Sequence, residues 1–223
     1  IFGIEFLAES GASTWLMWLA AFSILAASVI AMTKDNLKAR LAYSTISQLS
    51  YITLGVALAS SMGILGGGLH VVMHAMGKIT LFMCAGSIYV ATHRTEISQM
   101  TGLGRRMPIT FIAFLIGALS IIGLPPLGGS WSKWLLMVGA VDAEHLFILG
   151  VLLVSSLLNV AYLLPLVAKG FFLSNDTDAE LVQSAEASPL VWGPPAATAF
   201  GCVVLFFYAG HIQDFLMPIV ATN

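Results

Sequence analysis

"GGGLHVVMHAMGKITLFMCAG", residues 66–86, decides how the rest of the chain is read. Its apolar content is that of a membrane-spanning helix, yet it carries His70, His74 and Lys78, each four residues after the last. On a helix rising 1.5 Å per residue the three fall on one stripe, about 6 Å apart per step. A charged side chain at the centre of a bilayer costs roughly 2.5–3.5 kcal/mol on insertion scales. Such a group faces a partner or water, and its default reading is functional.

Working outward, the composition agrees with a membrane setting. The chain has 223 residues, is 58% hydrophobic and 9% charged, and carries a net charge of −2. Its mean hydropathy is +0.94. No soluble domain needs that balance. No nucleic-acid signature and no Gly-rich phosphate loop is present. Cys84 and Cys202 lie far apart in apolar runs with no CxxC spacing, and they read as buried small hydrophobes. The chain begins with Ile, and its opening "IFGIEFLAESGAST" has no basic n-region. It reads as a piece of a longer protein rather than as a signal peptide.

Six apolar stretches stand out, at about 14–32, 41–60, 64–92, 108–141, 145–172 and 191–210. A crossing of the hydrocarbon core takes about 20 helical residues, so most stretches fit one crossing each. The expected fold is an all-α polytopic bundle of about six spans. The fourth stretch is too long for one straight helix and contains "GLPPLGGSW", residues 123–131. Pro125 and Pro126 cannot donate backbone hydrogen bonds, and Gly123, Gly128 and Gly129 loosen the chain beside them. A broken helix is predicted there. Irregular backbone at membrane depth is tolerated only where protein or a water-filled cavity satisfies it.

Charge sets the orientation. Lys34, Lys38 and Arg40 mark loop 33–40, and Arg94, Arg105 and Arg106 mark loop 93–107. Two spans separate these loops, so six of the nine Lys and Arg residues fall on one side, read as cytoplasmic. Lys169 and the acidic segment "SNDTDAELVQSAEASPL" (174–190) fall there too. The expected division is an N-terminal end (1–13), a five-helix unit (14–172), an acidic loop (173–190) and a final span with its tail (191–223). All eleven Asp and Glu residues fall in predicted loops or terminal segments. Only Lys78 and Lys133 are basic residues inside spans.

Each polar feature has a plainer reading beside the functional one. The HxxxH pair can grip a metal, but no acid or Cys continues the stripe and Lys is a poor ligand; no metal and no cofactor is expected. The histidines can bridge helices by hydrogen bonds. As a transport device, imidazole titrates near neutrality, a buried lysine can exchange protons, and a His–His–Lys row with water between its members is a proton relay. Lys133, in "GGSWSKW", either snorkels to an interface marked by Trp131 and Trp134 or sits in the cavity that a broken helix opens. In "LAYSTISQLSYITLG", residues 41–55, Ser44, Ser47, Gln48 and Tyr51 share one face. That face serves as interhelical glue or holds water beside the lysines.

Three blocks, "KDNLKARLAYSTISQLSYITLG", "HVVMHAMGKITLFMCAG" and "GLGRRMPITFIAFLIGALSIIGLPPLGGSWSKW", lie in order over most of residues 34–134. Together they resemble the antiporter-like subunit family. It includes the D and A subunits of Mrp-type sodium/proton antiporters and the large proton-pumping membrane subunits of respiratory complex I and membrane-bound hydrogenases. "PPLGGSWSKW" is most similar to the Mrp D type. The resemblance implies two inverted five-helix repeats, each with one broken helix; the first five spans match the second repeat and the sixth the helix after it. The first repeat, with its lysine and paired glutamate, is missing from this sequence, as is the long lateral helix of one complex I subunit.

By the same resemblance, Lys78 is the central relay lysine, His70 and His74 connect it, and Lys133 is the terminal lysine at the exit. Some complex I members carry Glu at that last position, so Lys133 argues against that subtype. Gly77 departs from the family, where many relatives have a bulky aromatic. The resemblance implies a proton-translocating subunit of a multisubunit cation/proton antiporter in a bacterial cytoplasmic membrane. It would act with other membrane subunits, Na+ or another monovalent cation, and lipid, without nucleic acid. A redox-driven pump subunit and a non-transporting scaffold are the alternatives.

Overall fold

A computed structural model describes residues 11–173, 186 and 188–221. Among these the chain is all α-helical. The long elements are α1 (Ala12–Thr33), α2 (Leu37–Ala57) and α3 (Ser61–Thr92). A short α4 (Leu103–Arg106) leads into α5 (Pro108–Ile122), followed by α6 (Gly129–Asp142), α7 (Leu146–Phe172) and α8 (Pro189–Ala221). Helices α1, α3, α7 and α8 are each long and apolar enough to cross a membrane. The more polar α2 has 21 residues, and α5 and α6 are two short pieces on either side of the predicted break. The multi-pass helical bundle expected from the sequence is therefore present.

Local chemistry sets the boundaries. Asn36 caps α2 by accepting from Ala39 N at 3.0 Å, and Ser60 caps α3 by accepting from Gly63 N at 3.1 Å. Pro108 occupies the first turn of α5, where its missing N–H costs nothing. The Glu186 carboxylate accepts from the N–H groups of Ile109 and Thr110 at that same helix start, where the helix dipole favours an anion. Of the rest of the acidic segment, residues 174–185 and 187 lie outside the described residues. The last helix runs well beyond the expected end at 210, so Asp214, expected in a terminal segment, is helical. The turn-forming signals that ended the other stretches are missing between 211 and 217.

The two basic loops meet at one end of the bundle. Leu37 N donates to Thr95 O at 2.9 Å, Ile97 N to Asp35 O at 2.9 Å, and Gly102 N to Lys169 O at 3.1 Å. Asn36 Nδ2 donates to Glu96 Oε1 at 3.0 Å. Helix α3 is central and packs against α2, α5, α6 and α8. One apolar cluster gathers around Leu41, Leu81, Ile88 and Phe111 toward the basic end. A second, with Ile24, Leu54, Leu136 and Leu152, fills the other end. Between them the helices present a buried polar layer.

Candidate functional site

That polar layer is built around α3. His70, His74 and Lys78 are all buried, at 2%, 6% and 5% exposure. The stripe forms because residues four apart stack along one helix face. The rings of His70 and His74 are nearly parallel, 16° apart, with centroids 5.7 Å apart. Tyr51 of α2 stacks on His70 at 5.4 Å, and Lys133 Nζ lies 5.0 Å over the Tyr51 ring. The order in space is therefore Lys78, His74, His70, Tyr51, Lys133.

The two ammonium groups are solvated by neutral oxygens. Lys78 Nζ donates to Ser44 Oγ at 2.6 Å and to Leu41 O at 3.2 Å. Lys133 Nζ donates to Ile122 O at 3.1 Å and to Ser156 Oγ at 3.3 Å. The Ile122 acceptor follows from the break: a helical carbonyl bonds the N–H four residues on, and residue 126 is a proline without one. The break itself needs two glycines. Gly123 ends α5 in the left-handed region at φ 93°. A Cβ on Gly129 would stand 1.9 Å from Ser120 O, so only glycine lets α6 start against α5.

Lys133 is 2% exposed, while Trp131 and Trp134 are 41% and 60% exposed. The lysine turns inward and the tryptophans outward, which overturns the snorkelling alternative. A cavity of about 880 Å³ opens at the break, lined by Pro125, Trp131, Lys133, Trp134, Ser156 and Leu157 among others.

The face on α2 divides its labour. Ser44 holds Lys78, Tyr51 lies under Lys133, and Gln48 Nε2 donates to Asn159 Oδ1 at 3.4 Å. Ser47 turns the other way, donating to Ile24 O at 3.0 Å and meeting Ser28 Oγ at 2.9 Å, as interhelical glue. Gly77 also finds its reason, because a Cβ there would stand 2.9 Å from Ile121 Cδ1. A side chain at this position requires Ile121 to move aside.

Several site residues were missed in the sequence reading. Ser132 Oγ is 2.9 Å from His70 Nδ1. On α7, Ser155, Asn159 and Tyr162 face inward, and Tyr162 Oη is 2.9 Å from Ser44 Oγ. Their i, i+4, i+7 spacing in an otherwise apolar span was a readable signal. Five buried polar atoms of the layer have no hydrogen-bond partner among the described residues: Gln48 Oε1, Tyr51 Oη, His70 Nε2, His74 Nδ1 and Asn159 Nδ2. Polar atoms in that condition call for water. Among the described residues no group of three or more His, Cys, Asp or Glu comes together to hold a metal.

Comparison with known proteins agrees with this architecture. The family model described as "NADH:quinone oxidoreductase/Mrp antiporter, TM" matches residues 2–159. The chain belongs to this family. Within it, subunit N of the NADH-quinone oxidoreductase of Desulforudis audaxviator is 39% identical over 156 residues, 70% of this chain and 31% of that protein. Subunit L of the Rickettsia bellii enzyme is 31% identical over 206 residues, 92% of this chain and 31% of that protein. The chain thus spans about a third of the length of these relatives. Among solved structures, a chain of respiratory complex I from Thermus thermophilus superposes with a TM-score of 0.83 at 26% identity, over 97% of this chain and 44% of that one. A chain of the Mrp complex from Dietzia shares the fold with a TM-score of 0.81 at 22% identity, over 92% of this chain and 46% of that one.

Proposed function

We propose that this chain moves protons across a membrane through Lys78, His74, His70 and Lys133, as one subunit of a multisubunit complex. The observation that carries the reading is the stack from His74 through His70 and Tyr51 to Lys133, with Lys78 one turn beyond His74 on the same helix face, both lysine amino groups buried and neither hydrogen-bonded to a carboxylate among the described residues. A scaffold has no use for two such costly groups. The basic end, where loops 33–40 and 93–107 meet, is the cytoplasmic one in this reading.

The relay works by protonation and electrostatics. The histidine rings stack rather than pointing their nitrogens at each other, so a water has to bridge each step. His74 Nδ1 and His70 Nε2 are the atoms left open for it. Once Lys133 has lost its own proton at the cavity, a proton leaves the Lys78 ammonium, crosses the two imidazoles, and is taken up by the neutral Lys133 amine. Each lysine disfavours charge on its neighbour, so loading one end and emptying the other are coupled. A charge change beside Lys78 expels its proton.

The complex we propose is a cation/proton antiporter of the Mrp type in a bacterial cytoplasmic membrane, exchanging Na+ or another monovalent cation. Lys133 and its "PPLGGSWSKW" setting support that. The relatives named as NADH-quinone oxidoreductase subunits support a second reading, the same relay under a redox motor. Purified native complex in sealed vesicles separates them. Proton uptake driven by an imposed sodium gradient supports the antiporter; uptake only with NADH and quinone supports the redox pump. Neither flux from an intact complex would overturn proton translocation.

A further inference from the structure

Helix α5 carries no ionisable side chain of its own, yet each of its ends is held by an ionisable group from elsewhere. At its start the Glu186 carboxylate accepts from Ile109 N at 3.0 Å, from Thr110 N at 3.3 Å and from the Thr110 hydroxyl. At its end the Ile122 carbonyl accepts from Lys133 Nζ at 3.1 Å. An acidic group at the first turn and a basic one at the last suit the helix dipole. The proposed relay uses only the second.

Glu186 lies just ahead of α8, and α8 holds the far end of α5 as well. Gly128 N, in the break, donates to Cys202 O at 3.0 Å. A Cβ on Gly128 would stand 2.4 Å from Met73 Sδ and 3.1 Å from Leu205 Cβ, so the break is seated closely between α3 and α8. With 15 residues α5 is about 22 Å long, and Pro189 to Cys202 covers about 20 Å. The two segments run side by side from the basic end with matched lengths. Helix α8 is in turn fixed to α3. Ser87 Oγ donates to Val191 O at 3.0 Å, a carbonyl left free because residue 195 is a proline. Thr80 Oγ1 donates to Thr198 Oγ1 at 2.8 Å.

Resting on the relay reading above, we propose that Glu186 is a positioning residue for the proton exit. With Cys202 O it straps α5 to α8, and so fixes Ile122 O, the carbonyl against which Lys133 is set. Helix α5 is a rigid rod between two bonded ends. Freeing its start lets the rod slide or tilt, and the break at its far end moves with it. Glu186 passes no proton; its effect reaches Lys133 through the helix.

The test is amide hydrogen exchange at Gly128 in the detergent-solubilised full complex, read beside proton flux in vesicles. In Glu186→Ala, exchange of the break peptide that contains Gly128 should quicken at least about threefold, although the substitution lies a helix length away. Maximal flux should fall about three- to tenfold at unchanged subunit composition, with the half-saturating cation or quinone concentration unmoved. Glu186→Gln keeps one of the two accepting oxygens and should fall between. Unchanged Gly128 exchange in assembled Glu186→Ala would overturn the strap, whatever the flux. Faster exchange with parent-like flux would overturn the positioning role. Should Glu186→Ala fail to assemble, Glu186→Gln decides by the same two readings. Lys78→Ala runs beside them: parent-like flux there would sink the relay, and the Gly128 reading, which needs no flux, still decides the strap.

Discussion

Lys78 and Lys133 are both buried ammonium groups, and the bundle solvates them in different ways. Lys78 sits in the middle of the unbroken helix α3 and draws on a carbonyl, Leu41 O, that also accepts from the Thr45 hydroxyl at 2.9 Å. Behind it Ser44, Tyr162 and Asn159 close the space. Lys133 sits just past a helix break and takes a carbonyl that Pro126 has set free. Beside it a cavity opens. In the relay proposed above, the difference corresponds to two roles: the continuous helix would store a proton where little else can reach it, and the broken one would release a proton to the outside of the bundle.

If that contrast is right, Lys133 needs an ionisable side chain more than it needs a lysine. Lys133→Ala should lower proton flux at least about tenfold, while Lys133→Glu should keep more than about a tenth of it. Equal loss in both, from assembled complex, would break the comparison. In the proposed relay the histidines connect the two sites, so His74→Ala should slow flux by about tenfold with normal assembly. Unchanged flux would mean that protons bypass the stack.

Packing sharpens the same contrast. Gly77→Phe places an aromatic against Ile121 beside Lys78 and should destabilise the bundle by about 1–3 kcal/mol, read as a lower melting temperature in detergent. Ser47 lies outside the relay. Ser47→Ala should cost only about 0.6 kcal/mol, a typical membrane interhelical hydrogen bond, and leave flux within about twofold of the parent. A large loss of flux there would extend the relay toward α1.

The legible part of this molecule was the part with a high energetic cost. His70, His74 and Lys78 stood out because ionisable groups in an apolar span are rare, and the break stood out because two prolines cannot be helical donors. The Lys133–Ile122 bond was readable in principle, since Pro126 lies four residues after Ile122. Tyr162 and Asn159 were passed over because neutral polar side chains cost little in a span and leave a faint signal. The division of the α2 face into Ser47 on one side and Ser44, Gln48 and Tyr51 on the other depends on where α1 and α7 pack, which helical spacing alone does not contain. The extra length of α8 was hidden because Gln213 and Asp214 read as the end of an apolar run, although the helix continues through them.

The measurement that bears most directly on the central claim is proton flux in vesicles carrying the full complex with Lys78→Ala, beside the parent complex at matched assembly. The account predicts that coupled proton flux disappears while the subunit composition is unchanged. Parent-like flux from a fully assembled Lys78→Ala complex would contradict it.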